Sequence, residues 1–310
     1  MIKSVTAVNF KGESIKMDLF HPESSGFIII KIDGIGPGKA TVTKNDSKVY
    51  DGGTITSARL PSRNIKMEIQ FLWVNSIEDV RHKSYKYFPL KKPITLIFET
   101  DTRTVEIEGV VESNEPDIFS SEESTNISII CPDPYFYASG ENARSKTEFS
   151  GINAVFEIPS DTGYSNESLT EALTEISTLY VQSERGIMNY GEVDIGVVIS
   201  VKPLAIVKGI LTISNVTLGQ NMSFDLNKIK TITENDFHLG DELVINTLRG
   251  KKSVTLVREG KNYNALSCID TRTDWIYLTP GENTFTYYLD GEGIEDLQFS
   301  VTNSILYEGV

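Results

Sequence analysis

The chain has 310 residues, of which 39% are hydrophobic and 23% charged, with 14 Phe and 13 Tyr. This composition excludes extended disorder, and the length suits two ordinary domains, each with a core of its own. The 29 Lys and Arg residues against 43 Asp and Glu residues leave a formal net charge of -14, which disfavours free binding to nucleic acid or to an anionic membrane surface.

The charge is unevenly distributed along the chain. Residues 1–140 carry 16 basic and 19 acidic residues, a balance of -3, whereas residues 141–310 carry 13 and 24, a balance of -11. Copies of the front part therefore repel one another less than copies of the acidic second part.

The cysteines and the amino-terminal segment indicate the compartment. Cys131 and Cys268 lie far apart in the sequence, so we expect two reduced thiols in two cores. Met1–Phe20 alternates apolar and polar residues and lacks the apolar run of a signal peptide. No uninterrupted apolar run is longer than Phe27–Ile30, which is too short to span a bilayer. The sequence thus predicts a soluble protein made in a cytoplasm.

The first part of the chain has the pattern of antiparallel sheet. Phe27–Ile32 is a β-branched run that stops at Asp-Gly, and Ile65–Phe71 alternates apolar and polar residues. Ile94–Glu99 and Thr104–Glu108 read as the two strands of a hairpin. We therefore predict a mainly β front part.

One helix and one domain boundary interrupt this pattern. Ser76 is placed to cap a helix over Ile77–Tyr85, with Asp79 near the positive end of its dipole. Further on, Ala138–Ser150 is small, polar and charged, as linkers are. We predict a front domain over residues 1–137, a linker over 138–148 and a second domain over 149–310.

The second domain is predicted to be a β-sandwich. At least seven short runs closed by turn residues follow one another between Val193 and Val301. Before them, Ser168–Tyr180 has apolar residues at helical spacing and a capping box at its start, which predicts an amphipathic helix packed on its own domain.

Motifs that carry chemistry are weak in this sequence. Gly34–Ala40 resembles a phosphate loop, but the spacing to Lys39 is one residue short, Ala40 replaces the metal-binding hydroxyl residue, and Pro37 lacks an amide donor. We interpret this segment as a turn after a strand.

Metal and hydrolase signatures are also missing. The three histidines, His21, His82 and His238, stand isolated, and neither Gly-x-Ser-x-Gly nor His-Glu-x-x-His occurs. Adjacent acidic pairs such as Glu122–Glu123, Asp241–Glu242 and Glu295–Asp296 point to opposite faces of a strand and cannot form a two-carboxylate site alone. We therefore expect no cofactor, no metal and no catalytic residue.

The two tryptophans have different expectations. Trp73 is expected in the core of the front domain, because Trp is highly buried on average. Trp275, together with Tyr277, is open to two interpretations, a core role or an aromatic surface that stacks on sugar rings.

Nine short blocks of residues follow one another along the chain. Through these blocks the chain resembles the distal tail protein family of long-tailed bacteriophages, which is akin to baseplate hub proteins. Five blocks lie in the front part and four in the back part, so the resemblance covers nearly the whole chain except residues 165–180. The blocks are Ile32–Thr41, Arg59–Asn64, Arg81–Pro89, Gly109–Phe119, Cys131–Phe136, Asn189–Glu192, Gly240–Thr247, Leu278–Asn283 and Tyr307–Val310.

The resemblance implies a specific architecture and role. It implies an amino-terminal β-sandwich-like domain with a short helix, which assembles into a homo-hexameric ring, and a carboxy-terminal galectin-like β-sandwich outside the ring. Such a ring is a structural virion component at the distal end of the tail and not an enzyme. It connects the tail tube protein to the tail-associated tip protein and the receptor-binding apparatus. A galectin-like fold does not by itself establish sugar binding.

The ring idea leads to candidate interface residues. Arg59, Arg63 and Asn64 are polar groups beside the strand Ile65–Phe71, and Arg is enriched among interface anchors, although a solvated turn is the alternative. Arg81, Lys83 and Lys86, with Lys91 and Lys92, form a basic cluster that fits a partner, a channel or a plain surface helix. From the near-balanced charge we expect residues 1–137 to form the ring alone.

Two other functions remain open from the sequence. A carbohydrate-binding adhesin would grip the host cell wall through exposed rings around Trp275 and Tyr277. A cell-wall hydrolase would instead need two convergent carboxylates, one with a raised pKa.

Overall fold

The computed structural model describes residues 1–46, 51–73, 76–140, 143–150, 153–155, 178–180 and 184–310. Contacts between Cα atoms divide the chain into two compact units. Unit 1 comprises Met1–Arg144, Gly191–Val193 and Ser304–Val310, and unit 2 comprises Ser145–Tyr190 and Asp194–Asn303. Residues 304–310 thus fold with unit 1, although the sequence analysis assigned them to the second domain.

Antiparallel strands make up most of both units, which confirms the mainly β prediction. The elements of the first part are β1 (Ile2–Asn9), β2 (Ser14–Asp18), β3 (Phe27–Asp33), β4 (Thr41–Asp46), β5 (Gly53–Arg59), β6 (Arg63–Phe71), α1 (Ile77–Tyr87), β7 (Pro93–Thr100), β8 (Thr104–Asp117), β9 (Ser124–Cys131) and β10 (Phe136–Ala138). The elements that follow are β11 (Arg144–Ser150), β12 (Asn153–Val155), β13 (Thr178–Tyr180), β14 (Glu184–Asn189), β15 (Ile195–Gly196), β16 (Val198–Pro203), β17 (Lys208–Asn215), β18 (Gln220–Asp225), α2 (Ile229–Thr233), β19 (Glu242–Asn246), β20 (Ser253–Arg258), β21 (Lys261–Asn264), β22 (Tyr277–Leu278), β23 (Gly281–Glu292), β24 (Leu297–Ser304) and β25 (Leu306–Tyr307). Single turns of 3-10 helix lie at Pro22–Ser24, Leu226–Lys228, Leu266–Cys268 and Ile294–Asp296.

Unit 1 is built on one sheet with the strand order β2-β1-β7-β8-β9-β6-β3. Its core side chains come from alternate strand positions, as on β6, where Ile65, Met67, Ile69 and Phe71 are buried. Since successive strand residues point to opposite faces, this alternation is what the sequence pattern of that segment predicts. The short strand β10 pairs with both β8 and β25, so the last residues of the chain extend this sheet.

The predicted helix of unit 1 is confirmed and is slightly longer than expected. The Ser76 hydroxyl accepts a hydrogen bond from the Asp79 amide, 3.4 Å away, at the start of α1. Val80 is buried against the core, and Gly26 lies so close that a Cβ there would meet a Val80 methyl at 3.1 Å. Trp73, just before this helix, is 79% exposed, so its expected place in the core is wrong.

Unit 2 contains a six-stranded sheet and a four-stranded sheet. The orders are β11-β24-β16-β19-β20-β21 and β14-β23-β17-β18, with β15-β22 and β12-β13 as separate pairs. Aromatic rings join the two larger sheets, because Tyr287 on β23 lies 4.4 Å from Phe299 on β24 and 5.9 Å from Phe149 on β11, measured between ring centroids. Two sheets that bury their facing sides in this way form a sandwich.

The second predicted helix falls mostly outside the described residues. It was predicted over Ser168–Tyr180, and of these residues Thr178–Tyr180 are described and pair as strand β13 with β12.

Both cysteines are buried free thiols, as expected. No helix among the described residues is both long and apolar enough to cross a membrane.

Candidate protein interfaces

Arg63, the first residue of β6, is not available for a partner because its own unit buries it. Its side chain points inward with Ile65, and the residue is only 7% exposed. Its Nε donates to the Pro134 carbonyl at 2.6 Å, Nη1 donates to the carbonyls of Gly34 and Gly36 at 2.7 and 2.5 Å, and Nη2 donates to the Glu308 carbonyl at 2.7 Å. Arg63 is therefore an internal clamp, which corrects its assignment as an interface residue.

The surroundings of Arg63 explain how a cation is tolerated there. Its guanidinium carbon lies 4.7 Å from the centre of the Phe136 ring, a cation–π distance. Burial lowers the pKa of the Arg63 guanidinium, yet arginine remains charged at neutral pH. The four carbonyl groups supply the negative ends of dipoles that replace water around the charge.

The segment after β3 is shaped for this clamp and not for a phosphate. Gly34 has a φ of +85°, and a Cβ there would lie 2.2 Å from the Asn64 carbonyl oxygen, so only glycine fits. Gly34 and Gly36 present carbonyl oxygens to a cation, whereas a phosphate loop presents amide hydrogens to an anion. The interpretation as a turn agrees with this geometry.

The other two predicted residues beside β6 have separate environments. Arg59 is the last residue of β5 and is exposed. Asn64 is half-buried, and its Oδ1 accepts a hydrogen bond from the Ser128 hydroxyl at 3.0 Å. Of the three residues Arg59, Arg63 and Asn64, only Arg59 is exposed.

The basic cluster on α1 is divided by its salt bridges. Arg81 is half-buried, with Nη1 3.1 Å from Glu123 and Nη2 3.5 Å from Glu78. Lys86 lies 3.1 Å from Glu13, and this hydrogen-bonded carboxylate raises the pKa of the Lys86 ammonium. Lys83 is exposed. Since Arg81 and Lys86 face carboxylates of their own chain, the three residues do not form one basic surface.

The two aromatic residues proposed for sugar contact lie in unit 2. Trp275 is half-buried, and the Lys252 ammonium lies 5.2 Å from its ring centre. Tyr277 is 37% exposed, and its backbone is fixed because its amide donates to Gln220 and its carbonyl accepts from Asn215. Of the two rings, the Tyr277 phenol is thus the more exposed and the Trp275 indole the more covered.

The acidic pair Asp241–Glu242 is held by hydrogen bonds within its own unit. Asp241 is buried and accepts hydrogen bonds from Arg258 and His238, whereas its neighbour Glu242 accepts one from Ser200. Burial works against ionisation of Asp241, but these hydrogen bonds outweigh it and lower the pKa of the carboxyl. In the part of the chain that the structure describes, no three His, Cys, Asp or Glu side chains are grouped as metal ligands.

Two exposed features of unit 1 were missed by the sequence analysis. The hairpin β4–β5 is exposed at every strand residue, including Val42 and Ile55, the latter at 72%. The turn between β8 and β9 places Ile118 and Phe119 in solvent, with Phe119 95% exposed. The local sequence does not reveal this exposure, because Thr41–Thr43 and Thr54–Thr56 alternate polar and apolar residues as half-buried strands do.

Comparisons with known proteins give a family match over part of the chain and solved structures that align with it. Residues 207–302 match the family model of the siphovirus-type tail component, C-terminal domain. The chain is similar in fold to the crystal structure of the Dit protein of phage SPP1, which is described as a paradigm of the hub adsorption apparatus in phages that infect Gram-positive bacteria. The two chains share 11% sequence identity and align with a TM-score of 0.61 over 96% of this chain and 98% of the Dit chain. Two structures of the phage P2 baseplate in its activated conformation, with Ca and with Sr, align over 98% and 97% of this chain and 98% of those chains, at 12% and 11% identity and a TM-score of 0.43. No curated protein sequence matches the chain.

Residues 207–302 thus have the sequence of a siphovirus-type tail component domain, and the mainly β fold is similar to that of the SPP1 Dit protein. The resemblance to the distal tail protein family is thereby confirmed. The match over residues 207–302 supports a structural role in a phage tail.

Proposed function

We propose that this protein is a hexameric hub that joins the last ring of the tail tube protein to the tail-associated tip protein and the receptor-binding apparatus. The number six and the order of partners come from the family resemblance. The observation that carries the proposal is the exposed hairpin β4–β5 of unit 1. Its strands pair only with each other among the described residues.

A hairpin of this kind is costly to a free monomer. An isolated two-stranded hairpin is marginally stable in water, and open strand edges invite pairing with other chains. Val42 and Ile55 add apolar surface that contributes nothing to the core of their own subunit. A neighbouring subunit that covers this hairpin would bury the apolar side chains and pair its edges.

The surface needed for a ring is heterologous. In a ring, one surface of each subunit meets a different surface of the next, and a hairpin arm on one side satisfies this requirement. The near-balanced charge of residues 1–140, at -3, opposes such packing far less than the -11 of residues 141–310. This favours a ring built from unit 1.

Electron microscopy with light scattering on the full chain tests the proposal. A six-fold ring with an open centre and a mass of about 207 kDa is expected from six copies of the 34.5 kDa chain. Replacing Val42 and Ile55 by Ser should shift the population toward monomer. A matched control, Val216→Ser, changes an exposed valine of unit 2 and should leave the ring intact. Monomers at all concentrations, also after addition of the tail tube protein, would refute the hub.

A second candidate function is glycan binding by unit 2. The specific observation is the exposed phenol of Tyr277, two residues after the half-buried Trp275, since aromatic rings stack on the apolar faces of sugars. Pull-down with host cell walls, wild type against Tyr277→Ala, tests it. Equal retention of the two proteins would remove this candidate.

A further inference from the structure

Unit 1 carries a protruding turn, here called the tip, that combines exposed apolar side chains with exposed carboxylates. The tip consists of Asp117 at the end of β8 and of Ile118, Phe119, Ser121 and Glu122 in the turn that follows, and all five residues are exposed. A phenylalanine that is 95% exposed leaves nearly its whole ring in water. Such rings are typical anchors of interfaces when they enter a pocket on a partner.

The base of the tip is held in place by side-chain contacts. Gln70 Nε2 donates to Glu122 at 3.1 Å, and Arg81 Nη1 donates to Glu123 at 3.1 Å. The Phe71 amide also donates to the Glu123 carbonyl at 2.9 Å. Because the base is fixed before binding, presenting the Phe119 ring costs little conformational entropy. Arg81 thus has a positioning role under the tip.

A second surface of the same unit has the complementary chemistry. The Phe10 patch consists of Phe10, Lys11, Leu90, Lys91 and Lys92, all exposed. The ammonium groups of Lys11 and Lys92 lie 5.6 and 5.4 Å from the centre of the Phe10 ring. The nearby Glu13 carboxylate is matched by Lys86 at 3.1 Å, so the patch keeps a net positive charge. It is an apolar surface with a basic rim.

The tip cannot cover the patch of its own subunit. Asn9, next to Phe10, pairs with Ile94, and Pro93 pairs with Val110, so the patch lies at the level of Val110 along β8. The tip begins seven residues further along β8, about 20 Å away at the rise of a strand. The complementary surfaces can therefore meet only between two copies.

We infer that the acidic tip of one subunit docks on the Phe10 patch of the next subunit, with Phe119 against Phe10 and Leu90 and the tip carboxylates facing the lysines. This inference rests on the proposed ring and identifies one of its contacts. The contact is heterologous, as a closed ring requires, and a mismatch in its rotation would give filaments. Opposite charges would also guide the subunits into register.

Cross-linking between two single-cysteine variants tests the contact directly. The native thiols are buried, so Ser121→Cys in one preparation and Leu90→Cys in another each add one accessible thiol. A short bismaleimide should link the two variants when mixed, and should link neither variant to itself. Links within a single chain are excluded, because the two cysteines are on different molecules. Links within each variant alone, or none in the mixture, would overturn the inference.

Charge exchange provides a second readout. Asp117→Lys and Lys92→Glu should each weaken association, and the double variant should recover it. Phe119→Ser should weaken association by tenfold or more, as for an interface anchor, with no loss of fold because the ring is exposed. Phe20→Ser, at an exposed phenylalanine elsewhere, is the matched control and should have no effect. Losses without recovery in the double variant would count against the contact.

The outcomes separate this contact from the hub proposal. Normal six-fold rings of Phe119→Ser in microscopy would overturn the contact and leave the hub standing. Absence of rings in the wild type, with or without the tail tube protein, would refute the hub itself. Binding of the wild type to phosphatidylcholine vesicles that is lost in Phe119→Ser, without cross-links, would overturn the contact and assign the tip to a membrane.

Discussion

Replacement of Arg63 by Met tests whether this buried arginine is an internal clamp. The change removes four hydrogen bonds to carbonyl oxygens and one cation–π contact. Hydrogen bonds from charged groups are worth about 1.5–3 kcal/mol each, but water can reach some of the freed carbonyls, and methionine keeps part of the apolar packing. We therefore expect a loss of about 3–5 kcal/mol in the unfolding free energy of unit 1.

The two cysteines allow each unit to be followed separately. Cys131 is buried in unit 1 and Cys268 in unit 2, so pulsed thiol labelling in urea, read by mass spectrometry, gives one unfolding midpoint for each. With a urea slope of about 2 kcal/mol per M, the Cys131 midpoint should fall by about 2 M in Arg63→Met. The Cys268 midpoint should not move.

Arg59 provides the matched control, because the sequence analysis treated the two arginines alike. Arg59→Met changes an exposed side chain and should alter the unfolding free energy by less than about 0.5 kcal/mol. Arg63→Lys should be intermediate, since one ammonium cannot reach all four carbonyls with a planar fork. A Cys131 midpoint that is unchanged in Arg63→Met, or that moves equally in Arg59→Met, would refute the clamp.

Three further predictions concern acid, thiols and the chain's last residues. The lowered pKa of Asp241 stabilises unit 2 above the unfolded-state pKa of about 4, and this stabilisation disappears as the pH falls through the lower folded-state pKa. The difference in Cys268 midpoint between wild type and Asp241→Asn should therefore be largest at pH 7 and shrink toward pH 3; a constant difference would contradict the assignment. Burial raises the pKa of the Cys131 thiol to about 11 and also raises the pKa of the Cys268 thiol. Ellman's reagent should therefore label neither thiol at pH 8 until urea is added. Rapid labelling of the native chain would be inconsistent with this burial. A fragment of residues 1–137 lacks β25 and the Glu308 carbonyl that Arg63 binds. Its melting temperature, measured by circular dichroism, should be lower than that of residues 1–144 joined by a flexible linker to residues 304–310. Equal melting temperatures would contradict a stabilising role of the last residues.

Local signals in the sequence predicted much of unit 1. The alternation of Ile65–Phe71 predicts the buried face of β6, and Ser76 predicts the start of α1, because strand faces and helix caps depend on residues a few positions apart. The confirmed family resemblance extends the same kind of local information over short blocks.

Long-range contacts explain the errors. Arg63 receives its partners from Gly34, Pro134 and Glu308, the last 245 residues away, and nothing near it in the sequence shows them. One signal was available, because Arg63 is in phase with the buried residues of β6. Trp73 follows the last core position of the strand and leaves the core, which average burial of tryptophan cannot predict. The tip and the Phe10 patch are likewise visible only once exposure is known.

The division of unit 1 into separate stretches of sequence also imposes an order on folding during synthesis. Residues 145–190 and 194–303 are translated before Ser304–Val310, which supply β25 and the carbonyl that Arg63 binds. Unit 1 is therefore incomplete until nearly all of unit 2 has been made. A nascent chain that stops before residue 304 would therefore lack a finished unit 1, even with most of unit 2 already made.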